Sequence, residues 1–278
     1  MLHSETLHDA LVHRARDRTI RTPACLPGTR SGGPRSTAHD HQRRVLSMRA
    51  VLFDLDGTLL DLDLDVFLRR YFAALEDAAR PIFTSDGDRA GFMESLPHSV
   101  RAMMDPHPGR TNRDVFFAHM HERTGVDMEL HWPVFETFYA EVFPTLADEA
   151  GPAKGARRAV STAIDLGLRV AIATNPIFPR VAVDHRLRWA GVHDLPVEVV
   201  TTYEEMYACK PLAEYYRQTS ELLETDPRDC MMVGDDRTLD MPASDIGMQT
   251  FYVGSQEDVP ADFTGDLDAL ADLLPRLL

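Results

Sequence analysis

Short, mainly apolar runs recur along the chain and predict strands. They cover residues 50–53, 168–173, 197–201, 230–233 and 250–253. The first run, at 50–53, is apolar at every position, which is typical of a parallel strand covered on both faces. Apolar residues at helical spacing lie between the later runs, at 154–166, 179–189 and 212–223. This alternation predicts an α/β fold with a Rossmann-like, doubly wound parallel sheet.

The segment between the first two strands follows a different pattern. From about residue 64 to residue 149 the apolar residues keep helical spacing, and no strand-like run interrupts them. Such a stretch is too long for one crossover. It predicts an α-helical cap domain at 63–149, inserted into a core built from 48–62 and 150–278. A stripe at i, i+3, i+4 spacing is expected to form the centre of the cap: Phe135, Phe138, Tyr139, Val142 and Phe143.

The first 47 residues are rich in Pro, Gly, Ser, Thr and Arg and show no sustained periodicity, which is typical of disorder. They allow two interpretations, a basic tail or transit-like leader and an over-long start. We favour the second, because Met48 leads directly into the first predicted strand.

Composition narrows the range of functions. The chain has 278 residues, 44% of them hydrophobic, and a net charge of −15. An acidic protein of this kind repels nucleic acid and anionic membranes, and no apolar run approaches the roughly 20 residues that span a bilayer. Cys25, Cys209 and Cys230 are too few for a disulfide framework. We therefore expect a soluble, cytoplasmic protein without a nucleic-acid or membrane partner.

Polar residues follow four of the predicted strands. Three groups come directly after a strand, and Lys210 comes after the segment that follows the third strand. The four groups are Asp54 and Asp56, then Thr174 and Asn175, then Lys210, and finally Asp235, Asp236 and Asp240. In doubly wound sheets the ligand binds at the carboxyl ends of the strands, so we expect these groups to converge. Lys210 is one of only two lysines among the 29 basic residues. A lysine in so arginine-rich a chain is a candidate for a task that needs a compact charge.

A cluster of aspartates predicts a bound cation. Carboxylates a few ångströms apart repel one another when they are partly desolvated, so a cation is needed among them. Oxygen ligands select a hard ion, and Mg²⁺ is the expected one. Because Mg²⁺ held by carboxylates keeps positions for water and a substrate phosphate, the pattern predicts phosphoryl chemistry.

Four motifs occur in an order that resembles the haloacid dehalogenase-like superfamily of hydrolases. They are D-L-D-G-T at 54–58, Thr174, Lys210 in C-K-P, and V-G-D-D-R-T-L-D at 233–240. The resemblance covers about residues 48–255 and includes the helical insertion after the first motif.

The resemblance implies a role for each motif residue. Asp54 would be the nucleophile that forms an aspartyl-phosphate, and Asp56 would protonate the leaving group and later deprotonate water. Thr174, Asn175 and Lys210 would bind the phosphoryl group. Mg²⁺ would be bound by Asp54, Asp235 and the backbone carbonyl of Asp56. Asp236 and Asp240 would supply a further ligand or orient Lys210 and metal-bound water.

The expected function is a Mg²⁺-dependent phosphatase for a small phosphorylated metabolite, because a cap would obstruct a macromolecule. Three alternatives remain open: a phosphomutase that returns the phosphoryl group to a sugar, a non-catalytic binding protein of the same fold, and a protein phosphatase. A dehalogenase is not expected, since such relatives generally lack the second aspartate, here Asp56.

Two further segments invite a functional interpretation. Asp61, Asp63 and Asp65 could suggest a second cation site, but we interpret them as a hinge and the acidic start of a helix. The loop at 105–113 contains Arg110, Arg113 and a histidine, which could contact a substrate. A plain surface loop is the interpretation that we favour.

Overall fold

Six parallel strands form the central sheet of the computed structural model, which describes residues 48–147, 150–256 and 258–278. Residues 1–47, which the sequence predicts to be disordered, lie outside these ranges. The described strands are β1 (Ala50–Phe53), β2 (Leu60–Asp61), β3 (Gly151–Pro152), β4 (Arg169–Ile172), β5 (Val199–Val200), β6 (Cys230–Gly234), β7 (Gln249–Val253) and β8 (Phe263–Gly265). The sheet order is β5-β4-β1-β6-β7-β8. The predicted doubly wound, Rossmann-like α/β fold is confirmed, and β8 is an additional edge strand.

The described helices fall into two groups. The first group lies between β2 and β3: α1 (Leu64–Ala79), α2 (Asp86–Met104), α3 (Asn112–Thr124) and α4 (Met128–Thr137). The second group surrounds the sheet: α5 (Ala156–Asp165), α6 (Arg180–Trp189), α7 (Ala213–Leu222) and α8 (Leu267–Leu277). None of the helices described in these ranges is long and apolar enough to cross a membrane.

The central strands β1 and β6 bury both of their faces. Alternate residues of β1 point to opposite sides: Val51 and Phe53 pack with α5, α6 and α8, whereas Ala50 and Leu52 pack toward α7. Burial of every side chain in β1 and β6 explains why these strands are continuous apolar runs in the sequence. The carboxyl ends of β1, β4 and β6 therefore share one edge.

The helical segment between β2 and β3 packs around a second hydrophobic cluster, which extends to residues that follow β4 and β5. Its buried residues include Phe67, Phe92, Phe138 and Phe143. The side chain of Asp63 caps α1 by accepting a 3.0 Å hydrogen bond from the backbone N of Val66. Asp63 and Asp65 therefore lie at the start of a helix, as interpreted, where negative charge is favourable, whereas Asp61 lies in β2.

The aromatic stripe of this segment is buried with one exception. Phe135, Phe138, Tyr139 and Phe143 are buried, but Val142 is 36% exposed. The expectation for Val142 is wrong because Phe138–Val142 forms a turn of π-helix. The wider turn shifts the phase of the residues that follow, so i, i+4 spacing no longer keeps them on one face.

A short antiparallel pair of strands closes the base of the helical segment. Leu60 pairs with Pro152 and Asp61 pairs with Gly151, so β2 and β3 hold the outgoing and returning chains together. The backbone N of Ala153 also donates to the carbonyl of Leu59 over 3.0 Å. These contacts fix the point at which α1 leaves the core, directly above the end of β1.

Candidate active site

The turn after β1 places Asp54 at the edge of the sheet. The backbone N of Asp54 donates to the carbonyl of Val233 in β6 over 2.8 Å, so the residue continues the parallel pairing. The carbonyl of Leu55 then accepts from the backbone N of Leu59 and of Leu60, which closes a tight turn. Gly57 adopts φ of +86° within it, a value that a residue with a side chain rarely takes.

Lys210 lies between two of the predicted site residues. It is 2% exposed, and its Nζ donates to Oδ1 of Asp54 over 2.7 Å and to Oδ1 of Asp240 over 2.6 Å. Burial alone would lower the pKa of Lys210, but the carboxylates of Asp240 and Asp54 raise that pKa well above its usual value. The ammonium is therefore charged and held in place.

Three carboxylates meet at this edge. Oxygens of Asp54, Asp235 and Asp240 lie within 4.8 Å of one another. Thr58 orients Asp235 by donating to its Oδ1 over 3.0 Å. Burial, together with the charge of Asp54, raises the pKa of Asp235 to about 7 and that of Asp240 to about 8, although Lys210 opposes the rise at Asp240. The carboxylates are crowded enough to disfavour their charged forms.

The cluster fits a divalent cation by charge and by donor chemistry. Lys210 can neutralise one of the three carboxylates, which leaves two negative charges in a buried site. Oxygen donors of this kind bind hard cations such as Mg²⁺. Burial and repulsion from Asp54 raise the pKa of Asp235 and Asp240, and a divalent ion would offset both effects, so the residues present are compatible with the predicted Mg²⁺.

Asp236 and Asp240 stabilise the loop after β6. Oδ1 of Asp236 accepts from the backbone N of Thr238 (2.6 Å), from the Thr238 hydroxyl (2.7 Å) and from the backbone N of Leu239 (3.0 Å). Oδ2 of Asp240 accepts from the backbone N of Asp236 over 3.0 Å. Asp236 therefore holds the turn, while Asp240 joins that turn to Lys210.

Asp56 is paired with a residue that the sequence did not indicate. Its Oδ2 accepts a hydrogen bond from Nη1 of Arg186 in α6, and its Oδ1 is buried without a hydrogen-bond partner. Burial raises the pKa of Asp56, and the Arg186 charge works against that rise. Arg186 could have been noticed because it occupies an inward position of α6, beside the buried Ala182, Val183 and Leu187.

Thr174 and Asn175 follow β4 and face the same edge. The carbonyl of Thr174 accepts from the hydroxyl of Thr201 over 2.7 Å and from that of Tyr215 over 2.9 Å. Oδ1 of Asn175 accepts from the backbone N of Lys210 over 3.2 Å, which links the second and third predicted groups. Both residues line the cavity described next.

A cavity of about 250 Å³ lies over the carboxylates. All eight predicted site residues line it, together with Gly57 and Arg186. The remaining wall is apolar and comes from the cap entry, from the loop after β4 and from the loop after β6: Leu62, Leu64, Leu68, Ile177, Phe178 and Leu239. Since Leu64 and Leu68 belong to α1, the first cap helix covers the site.

The loop at 105–113 contacts the core but does not line this cavity. Asn112 donates from Nδ2 to the carbonyl of Pro176 over 2.9 Å, and its Oδ1 lies 2.7 Å from Nε2 of His107. Arg113 makes a two-fold hydrogen bond with Glu129 and stacks on Phe117. The contact between Asn112 and Pro176 joins the helical segment to the loop after β4, so the loop has a structural task that neither interpretation of the sequence included.

Gly57 gives a test of the close packing at this edge. We expect Gly57→Ala to displace Asp235, because an added Cβ would lie 2.8 Å from Cγ of Asp235. The positive φ adds a cost of about 1–2 kcal/mol to the free energy of folding. Thermal unfolding with and without Mg²⁺ should show both a lower Tm and a smaller rise in Tm on adding the ion.

Gly125→Ala is the matched control for Gly57→Ala. Gly125 ends α3 with φ of +73°, and an added Cβ would meet no atom within 4 Å. The control should lose stability from its backbone conformation alone and keep the full response to Mg²⁺. An equal response to Mg²⁺ in the two variants would contradict the predicted role of Asp235.

Comparison with known proteins supports the same family as the motifs. A family model for haloacid dehalogenase-like hydrolases matches residues 48–244. The comparison with curated proteins finds no match.

Solved structures with the same fold cover most of the chain. A HAD phosphatase from Thermococcus onnurineus is 21% identical with a TM-score of 0.52, over 82% of this chain and 98% of that one. A HAD family hydrolase from Deinococcus radiodurans with bound phosphate and sodium is 19% identical with a TM-score of 0.49, over 84% and 98%. An L-2-haloacid dehalogenase from Xanthobacter autotrophicus is 18% identical with a TM-score of 0.47, over 82% and 98%.

Proposed function

The chain belongs to the haloacid dehalogenase-like hydrolase family, and on that premise we propose that it is a Mg²⁺-dependent phosphatase for a small phosphomonoester. The arrangement of Asp54 and Asp56 carries this proposal. Asp54 lies beside a buried lysine and two further carboxylates, and Asp56 lines the same cavity. A second carboxyl beside the nucleophile supplies the proton that an oxygen leaving group needs.

In the proposed reaction Asp54 attacks phosphorus. Lys210, Thr174 and Asn175 bind the phosphoryl oxygens, where negative charge builds up in the transition state. A new bond forms between an Asp54 oxygen and phosphorus while the ester bond breaks, and Asp56 donates a proton to the departing oxygen. Asp56 then takes a proton from a water molecule that attacks the aspartyl-phosphate. Inorganic phosphate leaves, and Asp54 is regenerated.

Mg²⁺ would be held by Asp54, Asp235 and the backbone carbonyl of Asp56. When bound, it supplies positive charge that brings the anionic nucleophile and the phosphate together. We assign Asp240 to orienting Lys210, because both of its oxygens already accept hydrogen bonds. We assign Asp236 to holding the turn after β6, because one of its oxygens accepts three hydrogen bonds there.

The cavity supports a small substrate with a short, largely apolar organic part. Its volume is about 250 Å³, and six apolar side chains form the wall opposite the carboxylates. A cap that covers the nucleophile also excludes water, which strengthens the electrostatic interactions within the site. We further propose a cytoplasmic location, which the free, buried Cys209 and Cys230 support.

A panel of phosphate esters tests this function. The full chain, purified with Mg²⁺, should release phosphate from at least one small phosphomonoester in a panel of sugar phosphates, phosphorylated hydroxy acids, nucleotides, phenyl phosphate and p-nitrophenyl phosphate. Chelation by EDTA should abolish the release, and Mg²⁺ should restore it.

Product analysis separates the proposed phosphatase from its alternatives. A sugar phosphate that is converted to an isomer without phosphate release would indicate a phosphomutase. Turnover of a phosphopeptide without turnover of any small ester would indicate a protein phosphatase. The absence of turnover with every ester in the panel would contradict an enzymatic function of this class.

A further inference from the structure

Arg186 is a buried arginine at the site to which no motif assigns a role. It lies in α6, is 2% exposed and lines the site cavity. Its Nη1 binds Oδ2 of Asp56, whereas its Nε and Nη2 are buried without hydrogen-bond partners. One nitrogen out of three is therefore engaged, although an arginine and a carboxylate can form two parallel hydrogen bonds.

Stability does not account for a charge at this position. Removing a guanidinium from water costs free energy that one ion pair seldom returns, and two unpaired donors increase that cost. The neighbouring inward positions of α6 are apolar: Ala182, Val183 and Leu187. A hydrocarbon side chain at residue 186 would satisfy packing without any unpaired group. The arginine is therefore explained better by what it does to Asp56.

The ion pair fixes the orientation of the Asp56 carboxyl group. Arg186 occupies Oδ2, and Oδ1 has no partner. Free rotation of the carboxylate would exchange the two oxygens and move the group relative to Asp54. The pair with Arg186 opposes this rotation and holds the carboxyl group in one orientation.

Arg186 is itself held by contacts that reach the cap. Its Cζ lies 4.5 Å from the centroid of the Phe178 ring. Phe178 in turn packs edge-on against Tyr71 of α1, with 5.5 Å between the ring centroids. A cation over an aromatic face is attracted to it, so the guanidinium has a fixed plane.

We infer that Arg186 is a positioning residue that holds the proposed acid, Asp56, in the orientation in which it serves the leaving group. The inference rests on the proposed phosphatase function. Arg186 does not touch the transferred phosphoryl group, and its effect on turnover passes through Asp56. Loss of Arg186 should therefore lower kcat more for a leaving group that needs a proton than for one that departs as an anion.

Two esters of similar shape test the inference. p-Nitrophenyl phosphate has a leaving group that departs readily as an anion, whereas phenyl phosphate needs a proton from an acid. For Arg186→Met we expect kcat to fall about 100-fold on phenyl phosphate and less than about 5-fold on p-nitrophenyl phosphate. Since the ratio of the two rates is measured in one preparation, a lower fraction of folded protein does not change it.

Three further variants complete the experiment. Arg186→Lys should recover part of the rate on phenyl phosphate. Arg188→Met is the matched control, because Arg188 lies on the same helix but is exposed, and it should behave as wild type. The double variant Asp56→Asn with Arg186→Met should be no slower than Asp56→Asn alone, since two residues that act through one group do not add.

Each other outcome overturns the inference. An equal loss on both esters, a loss confined to KM, or additive effects in the double variant would mean that Arg186 binds substrate directly or only stabilises the fold. If Asp56→Asn itself shows no dependence on the leaving group, the assigned acid is wrong, and the inference fails with it. If wild type hydrolyses neither these esters nor any other in the panel, the proposed function fails first.

Discussion

Asp54→Asn is expected to lower kcat at least about 10⁴-fold, which corresponds to about 5.5 kcal/mol of lost transition-state stabilisation. The amide has the shape of the carboxylate but lacks the negative charge that makes a carboxylate oxygen nucleophilic toward phosphorus. Lys210 loses one partner and keeps Asp240, to which its Nζ donates over 2.6 Å. The free energy of unfolding should therefore change by no more than about 1 kcal/mol, so the loss of activity cannot be attributed to unfolding.

The covalent intermediate gives a direct measurement of the same prediction. Wild-type protein mixed with a turned-over ester and quenched in acid should carry a phosphoryl group, which intact mass and peptide mapping assign to Asp54. The Asn variant should carry none. Asp61→Asn is the control, since Asp61 is an exposed acid of β2 on the same connection. Phosphate release that persists in Asp54→Asn, once contamination is excluded, would refute the mechanism.

The sequence predicted the sheet well because burial leaves a strong local pattern. β1 and β6 are covered on both faces, so every residue is apolar and the run stands out. β8 was missed because Phe263–Gly265 is a half-exposed edge strand with no apolar run. β2 and β3 have two residues each and exist only because two distant segments pair with each other. Contacts between distant segments leave little trace in any one segment.

The site shows the same division between local and distant information. The eight predicted residues lie in short motifs at strand ends, and topology alone brings such residues together. The structure describes the contacts of these residues, but their individual catalytic roles remain predictions. Arg186 belongs to no motif, because its function depends on the packing of α6 beside β1. The phase change at Val142 likewise depends on a π-helical turn that apolar spacing cannot reveal.

Lys210→Met should have the second large effect, and it should act on stability as well as activity. The variant leaves Asp54 and Asp240 buried without the ammonium that binds both of them. Breaking a buried ion pair on one side typically costs about 3–5 kcal/mol of folding free energy. Loss of a donor to the transferred phosphoryl group should also lower kcat by about 10²–10³-fold.

Lys154→Met is the control, because Lys154 is the other lysine of the chain and its side chain is 87% exposed. Its contact with Asp268, at 3.7 Å, should contribute less than about 1 kcal/mol. Urea unfolding of both variants measures the difference, and a loss of similar size in the two would contradict the proposed role of Lys210.

The pH dependence of Lys210→Met follows from the carboxyls that remain. Burial already raises the pKa of Asp240 to about 8 while Lys210 opposes that rise, so removing Lys210 should raise this pKa further. A carboxyl that binds protons more tightly in the folded state destabilises the fold as pH rises. Asp240 keeps its proton in both proteins below about pH 8, so the stability difference from wild type should change little up to that pH and grow as the pH rises above it. Mg²⁺ should reduce the stability difference at neutral pH, because it would then be the main cation left among the three carboxylates. A loss of stability that neither pH nor Mg²⁺ changes would instead indicate a packing defect.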